Sequence, residues 1–403
     1  MNILGKNILL GVVLVLIAGS IWYLQLGKVR PEAGVKGDVL TDAPTNPADV
    51  DSVPDVSPDG TLSAKAKEEI AASSKPSASA SVATNARIMS KAEKAKKYKS
   101  AREITPGGGF INTEPFKLKD LIGKKVVLLD FWTYSCINCK RTTPYLNAWY
   151  QKYKDQGFVI VGVHTPEFDF EKVYDNVANA VKEAGIKYPV VQDNNYATWQ
   201  TYENQFWPRE YLIDIDGYIV HDHIGEGGYD ETERLIQAAL KERAQVLGTS
   251  ATISSDIANP NNVITFDSGK VQSREAYFGA SRNEYLGNGT QGVTGSQQLS
   301  IPSTIEANTL YLGGNWNFKN EYAENVGSGG KFTYKYNAKN VYFVASADAP
   351  VDITIMLDGK ITGHQTIKEN KLYTLVQGTN YGEHTLEVII NTPGLKAYTF
   401  TFG

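Results

Sequence analysis

The sequence predicts an α/β domain followed by an all-β sandwich of jelly-roll type, with a single apolar helix and a polar tether ahead of both. Three shifts in pattern carry this reading. Continuous apolar runs alternate with helix-like periods between residues 101 and 250. From Asn262 onward apolar and polar residues alternate strictly, between glycine-rich turns. Residues 31–100 contain one aromatic side chain, Tyr98, and 29 of these 70 residues are Ser, Ala or Pro, too polar a mixture to bury a core. The boundaries that follow are 1–28 for the apolar segment, 29–100 for a disordered linker, 101–250 for the α/β domain and 262–403 for the sandwich.

Ile8 to Leu26 is 19 residues without a charge, with Trp22 and Tyr23 near its end. As a helix it is roughly 28 Å long, close to a bilayer core of about 30 Å, and the aromatic pair suits the interface. No A-x-A site follows, and the run is longer than a usual signal-peptide core, so an uncleaved transmembrane anchor is expected. The linker begins acidic (Asp38, Asp42, Asp49, Asp51, Asp55, Asp59) and ends basic (Arg87, Lys91, Lys94, Lys96, Lys97, Lys99, Arg102). The basic end reads as a solvated helix face, with anionic lipid or wall polymer as the other reading.

In the α/β domain Val126 to Phe131 is a strand buried on both faces, followed by a helix from Cys136 to Lys154. Val159 to Val163 is a second buried strand. Val173, Val177 and Val181 mark one face of a helix over 170–183. Glu210 to Ile213 and Tyr218 to Ile224 are strands joined by a hairpin at Asp214-Ile215-Asp216-Gly217. A helix over 231–246 closes the domain with Leu235, Ile236, Ala239 and Leu240 on one face. This order predicts a three-layer α/β unit. In the last region 332–336, 352–355 and 398–402 are half-buried strands, and Asp358-Gly359 marks another hairpin.

The whole chain has 403 residues, a net charge of −4, five histidines and two cysteines. A near-neutral balance argues against nucleic-acid binding. Two cysteines cannot build a disulfide framework or a Cys₄ zinc site, and no pair of the five histidines has zinc-ligand spacing, so neither metal nor cofactor is expected. The two cysteines are Cys136 and Cys139, in C-x-x-C spacing at the junction of a buried strand and its helix. Unpaired N–H groups at a helix start stabilise a thiolate, and one turn later Cys139 faces the same way to resolve a mixed disulfide. Strand-to-helix context favours redox chemistry over a structural pair or half a metal site.

The stretch Asp130 to Cys139 (DFWTYSCINC), with Pro144-Tyr145-Leu146, Gly109 to Thr113 and Gly162 to Phe168, resembles the thioredoxin superfamily. Within it the chain is similar to the extracytoplasmic TlpA-like branch and to the soluble part of DipZ-type proteins, over roughly residues 98–403. The resemblance implies a thiol–disulfide oxidoreductase, acting as a reductant of protein disulfides outside the cytoplasm. It implies Asp130, six residues before Cys136, as the buried acid that takes the proton of Cys139. It places a cis-proline loop at Trp207-Pro208, there to pair with an extended substrate, and sets Trp132, His164 and Glu167 at the border of the site. The family's multi-span membrane domain is replaced here by one span, so a separate membrane thiol reductant is expected as electron donor. Pro144 falls inside the helix as a structural residue.

Two other functions compete. In the sandwich, Tyr311, Trp316, Phe318 and Tyr322 are candidates to stack on a glycan, which would make this a surface or wall-binding protein. Thr133-x-x-Cys136 echoes the peroxidase T-x-x-C, but Leu129 stands where those enzymes want proline.

Overall fold

The computed structural model describes residues 88–250 and 252–403. The expected anchor and the linker up to residue 87 lie outside them. Among the described residues no helix is long and apolar enough to cross a membrane. All described residues fall within one compact unit.

Helix α1 (Lys91–Lys97) precedes the first sheet. The α/β region then runs β1 (Phe110–Ile111), β2 (Val126–Trp132), α2 (Ile137–Tyr153), β3 (Phe158–His164), α3 (Tyr174–Glu183), β4 (Val190–Gln192), α4 (Ala197–Thr201), β5 (Arg209–Ile213), β6 (Ile219–Ile224) and α5 (Tyr229–Leu247). Its six strands stand in the order β1-β4-β3-β2-β5-β6. Every residue of β2 is buried, as an apolar run at the middle of a covered sheet must be. It pairs parallel with β3, Val126 opposite Phe158 through Trp132 opposite His164, and antiparallel with β5, Asp130 opposite Glu210. Helices α2 and α5 join at Glu233, which accepts from Trp149 Nε1 (3.1 Å) and the Tyr153 hydroxyl (2.7 Å) and pairs with Lys152 (2.8 Å). Both predicted strand pairs and both long helices are present within one or two residues of expectation.

Two expectations are corrected here. The helix expected over 170–183 starts at Tyr174, after a 3₁₀ turn over Asp169–Lys172, and Val173 at its N-cap is half exposed while Val177 and Val181 are buried. The end of the linker is ordered rather than a solvated coil. Ser90 caps α1 in a capping box with Glu93, and Lys94 is only 2% exposed. The Lys94 ammonium lies 2.7, 2.7 and 2.6 Å from Asp214, Asp216 and Glu242. Three carboxylates around one ammonium offset the cost of burying it. Lys94 alone is held to the hairpin and α5; Lys91, Lys96, Lys97, Lys99 and Arg102 are exposed, as a solvated face requires.

The second region contains β7 (Ala276–Tyr277), β8 (Gly295–Leu299), β9 (Leu310–Phe318), β10 (Ala323–Asn325), β11 (Lys331–Ser346), β12 (Val351–Leu357), β13 (Lys360–Ile367), β14 (Lys371–Ile390) and β15 (Lys396–Phe402). The all-β prediction holds, and the strands are joined in one nine-stranded hydrogen-bonded network. The reason is β11. Its first residues pair with β9, and beyond register shifts near Asn340 its later residues pair with β15. Register shifts bend a strand and let it change partner. The β12–β13 hairpin turns on Asp358 and Gly359, both at positive φ (51° and 76°), as a two-residue turn of this hand requires.

The glycan platform is corrected as well. Trp316 and Phe318 are fully buried, Tyr311 nearly so, and Tyr322 packs partly buried against Tyr398. Phe278, Phe332, Phe343 and Phe400 fill the centre of this region, each within 5.8 Å of another ring centroid. These aromatics are core.

Candidate active site

The carboxyl end of β2 delivers Asp130 and the turn Thr133 to Ser135, and α2 begins one residue after Cys136. Cys136 is the N-cap: its backbone is extended and its Sγ accepts from the Cys139 N–H at 3.4 Å. Negative charge on that sulfur meets the positive end of the helix. Cys136 is half-buried and Cys139 buried, and the two are free thiols. Burial, then the hydrogen bond and charge of Cys136, then the charge of Asp130, hold the Cys139 thiol well above its ordinary range. Cys139 therefore needs a base before it can attack.

Asp130 is 2% exposed, its Oδ1 has no hydrogen-bond partner, and burial pushes its carboxyl up to about 8. On β5 its register partner Glu210 is buried too, with Oε2 unpartnered, and burial followed by the charge of Asp130 raises its carboxyl well above the usual range. Opposite Asp130 on β3 stands Gly162, where a Cβ would come 2.9 Å from Trp132 Nε1 and 3.2 Å from the Tyr188 ring. That close approach needs glycine.

The Trp207–Pro208 peptide is cis, and the Trp207 carbonyl lies 3.9 Å from Cys136 Sγ. The Trp207 ring is buried against Trp199, with centroids 4.3 Å apart. Trp132 and His164, expected at the border of the site, are buried beneath it. The Trp132 ring meets the His164 ring edge-on at 5.1 Å, and Tyr134 stacks on His164 at 5.7 Å. His164 Nε2 lies 3.4 Å from Thr133 Oγ1, and burial pulls its imidazole down to about 3, so it stays neutral. Neither residue lines the groove at Cys136; they support the turn from below. Glu167 does reach the groove, where it pairs with Arg282 at 2.9 Å.

Sequence reasoning missed Glu171 and Glu210. Glu171 is fully buried and accepts from the Ser135 hydroxyl (2.6 Å), the Ser135 N–H (3.3 Å) and the N–H groups of Glu167 (2.6 Å) and Phe168 (3.1 Å). It ties the turn before Cys136 to the loop after β3. Burial, then the charge of Glu167, pushes its carboxyl up to about 7. Glu210 stands beside Arg209 at the start of β5, where a charged pair looks like an exposed strand end, so sequence offered no clear signal for it. Glu171 offered none either.

The groove beside Cys136 has a volume of about 160 Å³ and two walls. Ile137, Asn138 and Trp207 form one; Glu275, Val344, Thr399 and Phe402 from the all-β region form the other. The regions meet next to it through Phe168 and Phe170, which pack edge-on against Tyr398 at 5.0 and 4.9 Å. The Tyr134 hydroxyl donates to the Asn370 carbonyl at 3.1 Å.

Residues 111–240 match the Redoxin family, and residues 273–403 match a family described as the thioredoxin-like C-terminal domain. Protein DipZ of Mycobacterium bovis and Mycobacterium tuberculosis is 38% identical over 301 residues, 73% of this chain. The chain spans 41% of the length of those relatives. The thiol-disulfide oxidoreductase YkuV of Bacillus subtilis is 30% identical over 140 residues, 35% of this chain and 93% of its own. The thiol-disulfide oxidoreductase ResA of Bacillus thuringiensis is 36% identical over 126 residues, 31% of this chain and 67% of its own.

Proposed function

From the premise that the chain belongs to the thioredoxin-like thiol–disulfide oxidoreductases, we propose that Cys136 and Cys139 form its redox couple and reduce protein disulfides. The observation that carries this is the pairing of a half-exposed Cys136 at a helix N-cap with a buried Cys139 beside a buried, unpartnered carboxyl.

The Cys136 thiolate attacks one sulfur of a substrate disulfide. That S–S bond breaks, a mixed disulfide forms, and the departing sulfur takes up a proton from water. Cys139 then attacks Cys136 Sγ, its proton passing to the ionised Asp130 carboxylate, and the second substrate sulfur leaves as a thiolate that takes up a proton from water. Two electrons have moved, and the protein holds a Cys136–Cys139 disulfide. Glu210 lies across the register from Asp130, so ionisation of one makes ionisation of the other harder. The Trp207 carbonyl and Pro208 present a backbone edge beside Cys136 for an extended substrate.

An external dithiol must restore the couple. We place the redox site outside the cytoplasm, tethered by the Ile8–Leu26 segment and served by a membrane thiol reductant; the apolar run and the resemblance to DipZ-type proteins support this. The test is insulin reduction by the full chain, with dithiothreitol as donor, followed by equilibration with glutathione. A reductant gives a potential well below that of strong oxidants of the family; a potential near theirs would reverse the direction.

A further inference from the structure

We propose that the all-β region forms a substrate-selecting wall of the Cys136 groove, and that Glu275 on this wall recognises a cationic side chain flanking the substrate cysteine. The inference rests on Cys136 being the attacking sulfur. The groove opens onto that sulfur, and half of its lining comes from the second region. Its volume of about 160 Å³ suits a side chain rather than a folded surface.

The charges decide which side chain. No Lys, Arg or His lines the groove among the described residues, whereas Glu167 and Glu275 both do. The nearby cation, Arg282, stands behind them, paired with Glu167 at 2.9 Å and stacked over Tyr277 at 3.7 Å. Tyr277 also donates to Glu167 at 3.0 Å, and the Thr399 hydroxyl lies 3.4 Å from Glu275. One arginine thus faces two carboxyls. Burial and the charge of Glu167 push Glu275 up to about 8, Arg282, Tyr277 and Thr399 offsetting only part of this. A lysine or arginine entering the groove supplies the missing positive charge and lets Glu275 ionise. An acidic side chain adds a second negative group beside Glu167 in a poorly hydrated space and keeps Glu275 protonated.

The test uses the reduced full chain and short peptides with one cysteine disulfide-bonded to 2-mercaptoethanol, differing only in a flanking Lys, Ala or Glu. Charge-assisted contact in a partly buried site corresponds to a Lys-over-Glu rate ratio of about tenfold. Glu275→Gln is expected to reduce that ratio to about twofold or less, because a neutral amide no longer distinguishes the charges. Equal rates for the three peptides with the unaltered chain would overturn the proposal whatever the variant does. So would a ratio that survives in Glu275→Gln. Hydroxyethyl disulfide, which carries no charge for Glu275 to recognise, separates the two readings. If the unaltered chain fails to reduce it, the redox assignment itself falls.

Discussion

The six-stranded and nine-stranded sheets both bury clusters of aromatic rings, but among the described residues only the first region buries acids and an imidazole with them. Behind Cys136 the first core contains Asp130, Glu210, Glu171, His164 and Cys139, all buried and all shifted away from their ordinary protonation by burial. The second has at its centre Phe278, Phe332, Phe343 and Phe400, with Trp316 and Phe318 beside them. A buried, unpaired carboxyl costs stability, and a close-packed ring cluster supplies it. These buried acids, the imidazole and the thiol are thus confined to the first region, and the two regions meet at the groove where the second lends the first a wall.

Breaking the couple should produce the largest effect. Cys136→Ser is expected to lower disulfide reduction by on the order of 10³-fold or more, since the remaining cysteine, Cys139, is buried away from a substrate disulfide. Cys139→Ser should also stop turnover, yet accumulate one covalent substrate adduct per chain, visible by mass spectrometry. Equal adduct in both variants would assign the wrong attacking sulfur. On the other side of the comparison, Phe400→Ala removes a ring from the aromatic cluster and should cost about 3–5 kcal/mol in chemical denaturation. The remaining folded molecules should keep their thiol chemistry with hydroxyethyl disulfide. Loss of both together would mean that the division does not hold.

Asp130→Asn tests the cost of storing chemistry in a core. The folded state holds the Asp130 proton up to about pH 8, whereas the unfolded chain releases it near 3.8. Between those values the native state binds the extra proton, so stability falls as pH rises, by up to about 1.4 kcal/mol per pH unit. Asn removes that slope, and the variant should gain a few kcal/mol over the parent at pH 8. Its mixed disulfide should resolve more slowly, without the parent's rise in rate toward pH 8. A variant less stable than the parent at pH 8 would contradict the cost assigned to the buried carboxyl.

The two regions were not equally readable in the sequence. The Val126 to Phe131 run and the C-x-x-C spacing mark the first region because local pattern and chemistry coincide there, whereas Asp130 was legible only through the family resemblance. Trp316 and Phe318 misled because an aromatic residue in a strand has the same pattern whether it faces solvent or core. Lys94 misled for a related reason: it looks like its solvated basic neighbours until Asp214, Asp216 and Glu242, more than a hundred residues away, close around its ammonium. Glu171 and Glu275 owe their character to neighbours supplied by other elements. Glu275 in particular acquires its place at Cys136 only when β11 and β15 bring the second region alongside.

The smallest expected effect bears on how tightly the two bodies are joined. Tyr134 sits two residues before Cys136, and its hydroxyl donates across the boundary to the Asn370 carbonyl at 3.1 Å. The ring stays buried in Tyr134→Phe, still stacked on His164, so only the hydrogen bond is lost. One such bond is worth about 1 kcal/mol net. If Phe168 and Phe170 against Tyr398 bind the regions into one cooperative unit, that loss should move a single unfolding transition seen equally by tryptophan fluorescence and far-ultraviolet circular dichroism. If the regions unfold separately, the probes should part. The substitution would then shift neither global midpoint, and the groove wall would be a contact that opens without unfolding either body.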